Sequence, residues 1–89
     1  MLSASVIDPG GVLVTDLHFP RPRQDPYEPG ALIRWLVADG EPVRSGAPVA
    51  EVLTEGDRRT VRASATGTLW WQGKAGERFT AGVVIGLIE

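Results

Sequence analysis

Eighty-nine residues, 43% of them hydrophobic and 22% charged, describe one domain over 1–89 with a modest core, and they exclude a disordered chain on composition. A net charge of −2 argues against nucleic acid, whose phosphates are bound by clustered Lys and Arg, and no apolar run approaches the roughly 20 residues that cross a bilayer. The absence of cysteine removes disulfides and suits a reducing compartment, and Met1 to Asp8 lacks the layout of a secretory signal, so a cytoplasmic location is expected.

In chain order, the first predicted strand covers 11–18, with the turn glycines Gly10 and Gly11 at its start. The stretch from His18 to Gly30, HFPRPRQDPYEPG, carries four prolines and reads as an extended Pro-rich connection over 18–30. Alternating apolar residues then predict a strand at 31–37, a Gly40 turn, and a second strand at 47–53. Leu53 to Thr60 reads as a tight hairpin with Gly56 at its tip, where a positive φ is tolerated. Strands at 59–64, 67–72 and 83–88 complete the pattern. Eleven glycines and seven prolines break the chain at short intervals, and no segment sustains an apolar stripe of helical period.

The chain also repeats itself. DGEPVRSGAPVAEV from Asp39 and AGERFTAGVVIGLI from Ala75 share one layout, with Gly40 matching Gly76, Glu41 matching Glu77, Gly46 matching Gly82, Val49 matching Ile85 and Val52 matching Ile88, all at an offset of 36. Extended backwards, the register pairs Ile33 with Leu69 and Trp35 with Trp71. Two such units, each with one apolar face, bury those faces against each other. The expected architecture is all-β: a flattened β-barrel or sandwich of two quasi-symmetric four-stranded sheets.

These residues resemble the lipoyl/biotinyl attachment family. The resemblance is carried by ALIRWLVADGEPVRSGAPVAEVLTEG, RASATGTL and AGERFTAGVVIGLIE, and it covers about residues 30–89, with the strand around Gly11 to Asp16 completing the barrel. In that family a lysine at the tip of the hairpin after the A-E-V strand carries the prosthetic group. Aligning Ala50-Glu51-Val52 and Gly67-Thr68-Leu69 without a gap puts Gly56 at that position, with Glu55 as the acidic flank and Asp57 in place of the usual small residue. Glycine has no amine, so no amide to lipoate or biotin can form there, and no cofactor is expected. The resemblance therefore implies a lysine-less, lipoyl-like domain acting as a protein-interaction or accessory subunit for a 2-oxo-acid dehydrogenase-like or acyltransferase partner. Its expected hairpin contact is Glu55, Asp57, Arg58 and Arg59. The alternative is an acyl, lipoyl or biotin carrier attached at Lys74, the only lysine, although the repeat aligns Lys74 with Ala38 and not with the tip.

Catalytic chemistry finds little support. One histidine, His18, and no cysteine leave no nucleophile and base in a recognisable context, no convincing metal set exists, and the chain reads as a non-enzyme. Trp70 and Trp71 are candidate aromatic contacts; as neighbours on a strand they face opposite sides, one toward the core and one outward, and Trp71 should share its role with its repeat mate Trp35. Arg58, Arg59 and Arg62 give the hairpin end a positive edge that carboxylates or a phosphopantetheine group could use, or that simply faces solvent.

Overall fold

The computed structural model describes residues 5–7, 13–25 and 27–89. Gly10, Gly11 and the first two positions of the strand expected at 11–18 lie outside the described residues. The strands are β1 (Ser5–Ile7), β2 (Leu13–His18), β3 (Gly30–Trp35), β4 (Glu41–Val43), β5 (Pro48–Thr54), β6 (Asp57–Arg62), β7 (Gly67–Trp71), β8 (Arg78–Phe79) and β9 (Val84–Ile88). No helix occurs among the described residues. All strand pairs are antiparallel and form two packed sheets, ordered β1-β2-β9-β7-β4 and β6-β5-β3-β8. The sheets do not join into one closed ladder. The protein is therefore an all-β sandwich, four strands in each sheet, with β1 added at the edge of one.

The two halves are related by an approximate dyad that maps β2, β3, β4 and β5 onto β6, β7, β8 and β9. Under that mapping the order β2-β9-β7-β4 becomes β6-β5-β3-β8, so each sheet draws two strands from each half. Hydrogen bonds repeat with it. Leu36 N–H donates to Val49 O and Gln72 N–H to Ile85 O; Gly46 N–H donates to Ala63 O and Gly82 N–H to Phe19 O. Gly40 and Gly76 both turn at positive φ (83° and 90°), as do Gly46 and Gly82 (87° and 82°), a conformation that L side chains rarely adopt.

Bulges decide which apolar residues face inward. Val49 in β5 and Ile85 in β9 are the extra residues at equivalent register breaks, and both are fully buried. Ile33 is a third extra residue, opposite β5, and no matching break interrupts β7. The expected pairing of Ile33 with Leu69 is thereby corrected: the buried mate of Leu69 is Leu32, because the bulge absorbs Ile33 before Trp35 regains the register of Trp71. Three short strands that the alternation pattern does not mark, β1, β4 and β8, lie at sheet edges; at two or three residues they are too brief to show a period.

The core between the sheets is filled by Leu17, Phe19, Leu32, Val43, Val49, Val52, Val61, Leu69, Ile85 and Ile88. Fully burying one such aliphatic or aromatic side chain contributes about 1.5–3 kcal/mol. The dyad is imperfect here: Phe19 and Phe79 meet at 5.7 Å where the other half offers Ala63 and Val43. Gly30 sits against that aromatic pair, and a Cβ on it would stand 2.5 Å from Leu53 O and 2.7 Å from the Phe19 ring.

Candidate functional site

The β5–β6 hairpin closes through Glu55 and Gly56, with Thr54 opposite Asp57. Both loop residues have positive φ, 53° and 79°, as a two-residue type I′ hairpin requires. Gly56 is exposed, and a Cβ there would meet nothing within 4 Å. The 44–47 turn and Glu89 lie at the opposite end of the sandwich, since Ser45 is bonded to Thr66 Oγ1 and Glu89 pairs with Thr68. The tip thus projects from one end, away from the C-terminal residue.

Glu55 does not face open solvent. Its carboxylate accepts the backbone N–H groups of Arg23, Gln24 (3.0 Å) and Asp25 (3.4 Å). Arg59 Nη1 donates to Arg21 O at 2.8 Å, and Asp25 Oδ1 accepts the Tyr27 N–H at 2.9 Å. Prolines deny this segment a place in either sheet, so its N–H groups turn to a side-chain acceptor instead. The Pro-rich connection is therefore a strap laid against the hairpin. Between strap and hairpin lies a cleft of about 280 Å³ lined by Arg23, Thr54, Glu55, Asp57, Arg58 and Arg59.

Four residues expected at the hairpin contact, Glu55, Asp57, Arg58 and Arg59, are thus brought together in one cleft. Their orientations differ. Arg59 lies on the face of β6 that also carries buried Val61, whereas Arg58 alternates outward beside Leu53. Arg21 and Arg23 complete the site and were not anticipated. Their signal is the Pro-Arg-Pro-Arg run, which marks an extended segment but not the surface on which it lies.

The tryptophans are organised by the dyad. Trp35 and Trp71 stack at 5.6 Å and 10°; Trp35 Nε1–H donates to Gly73 O and Trp71 Nε1–H to Val37 O, reciprocal bonds at equivalent positions. The shared role expected of the two is what the structure shows. The expectation that one of Trp70 and Trp71 enters the core needs correction, because they remain 40% and 38% exposed. Trp71 shares the inward face of Leu69 but spends that orientation on the stack, and Trp70 lies outward over Gly40, whose added Cβ would be 3.1 Å from its ring.

His18 Nδ1 lies 2.9 Å from Gly82 O, a contact that ties β2 to the turn before β9. Lys74 is exposed in the β7–β8 turn, where its N–H donates to Glu77 Oε1 as that of Ala38 donates to Glu41 Oε2. It is the dyad mate of a turn alanine and does not line the strap–hairpin cleft. No protein-family model and no curated protein matches this chain.

Proposed function

We propose that this chain is a lysine-less, lipoyl-like domain that acts by binding a protein, as an interaction or accessory subunit for a 2-oxo-acid dehydrogenase-like or acyltransferase partner in a cytoplasmic setting. The observation that carries the reading is Gly56, an exposed hairpin tip in a sandwich of two dyad-related halves, which the sequence resemblance aligns with the position where that family bears its amine. A tip without an amine cannot form the carrier amide, while the surface around it keeps the charged groups that a docking partner would read. Contact through Asp57, Arg58 and Arg59 gives orientation and specificity by charge, and Trp70 supplies an exposed aromatic on a different face.

The test is capture of partners from the native host by wild type and by a folded variant with Arg58, Arg59 and Trp70 replaced by Ala. One defined partner should be recovered with wild type and lost with the variant. Equal recovery with both proteins would sink the assignment of the surface, and a lipoyl- or biotin-sized mass increment on Lys74 of the native protein would replace the reading with a carrier.

A further inference from the structure

Both segments that wall the strap–hairpin cleft bring arginines to it, Arg23 from the strap and Arg58 and Arg59 from β6. Two acids, Glu55 and Asp57, share the lining, yet the Glu55 carboxylate is already held by three backbone N–H groups. Its charge is directed into the strap. Arg59 is fixed in plane by its bond to Arg21 O, which leaves its remaining N–H donors available. The Arg23 and Arg58 side chains have no hydrogen-bond or ion-pair partner among the described residues. Three arginines and two acids therefore line this cavity in a chain whose net charge is −2, and planar oxyanions are what guanidinium forks recognise bidentately.

The positive charge does not stop at the cleft. Arg62 alternates to the same outward side of β6 as Arg58, with Nη1 donating to Gly46 O at 3.0 Å and its other N–H donors unused, and four residues of strand separate the two by roughly 13 Å. A single small anion cannot span that distance, whereas carboxylates spaced along a chain can. We infer that the cleft and the β6 edge bind an acidic segment of a partner protein, with one carboxylate seated among Arg23, Arg58 and Arg59 and a second reaching Arg62. This inference rests on the reading of the chain as a partner-binding module, and it adds the chemistry of the partner.

The experiment titrates the ¹⁵N-labelled 89-residue chain with a hexaglutamate peptide and, separately, with inorganic phosphate at low salt, following the arginine Nε–H and the Glu55 and Gly56 backbone resonances. The peptide should shift the Arg23, Arg58 and Arg59 signals; Arg58→Ala and Arg23→Ala should each weaken it about tenfold, as loss of one charge-assisted bond does. Arg78→Ala, the same charge change on β8 at the far edge of the sheet from β6, should leave affinity unchanged. Equal weakening by Arg78→Ala would reduce the effect to net charge and overturn the site. Phosphate matching the peptide in affinity at the same resonances would overturn the peptide in favour of a small oxyanion. Should the peptide fail to bind while capture of a partner persists, the acidic-segment inference falls and the module reading stands; should the peptide bind with no partner captured, the cleft stands and the module reading falls.

Discussion

Replacing Gly56 by Lys restores the missing amine, and its cost follows from the local backbone. The site has φ 79°, and an added Cβ meets nothing within 4 Å, so no neighbour has to move. The penalty is the left-handed conformation, about 1–2 kcal/mol for an L residue. A stiffer unfolded chain offsets part of it, about 0.4–1 kcal/mol. The net destabilisation of Gly56→Lys should be about 1 kcal/mol, which for a domain of this size lowers Tm by roughly 4–8 °C. Thermal unfolding followed by circular dichroism measures the shift, and intact mass after incubation with a lipoate or biotin ligase reports whether the new amine is modified. Gly30→Ala is the internal comparison, since its Cβ would stand 2.5 Å from Leu53 O. Unfolding of Gly56→Lys as severe as that of Gly30→Ala would refute an exposed type I′ tip, and a folded Gly56→Lys protein that every ligase ignores would refute the register placing Gly56 at the attachment position.

Further perturbations test the frame around the tip. A double-mutant cycle on Trp35→Ala and Trp71→Ala in urea should give a coupling of about 0.5–1.5 kcal/mol from the stack alone, and strict additivity would show that the two rings do not support each other. Glu55→Ala should raise amide exchange at Arg23, Gln24 and Asp25 by about tenfold while leaving Val52 and Val61 protected, because the strap loses its acceptor and the sheet loses nothing. Phe19→Ala should cost about 3–5 kcal/mol by emptying the corner shared with Phe79 and Gly30; a loss below 1 kcal/mol in urea unfolding would place Phe19 outside the core.

The site was partly legible in the sequence because a two-residue hairpin is a local object. Leu53 to Thr60 contains its own turn chemistry, and Glu55, Gly56, Asp57, Arg58 and Arg59 needed no distant residue to be placed together. The strap was not legible. That Pro20 to Pro29 leaves the sheets follows from proline, but that Arg21 and Arg23 reach the hairpin depends on backbone groups meeting Glu55 more than two dozen residues away.

Alternation and the 36-residue repeat by themselves determined an all-β chain of two similar halves, since a period of two and recurring turn glycines are written residue by residue. Only the tertiary structure decided how those halves interleave, where Ile33, Val49 and Ile85 bulge, and which tryptophans stack. A bulge shifts one strand against its neighbour, and a stack across the dyad joins residues from two halves; both are properties of paired segments, and no single segment carries them.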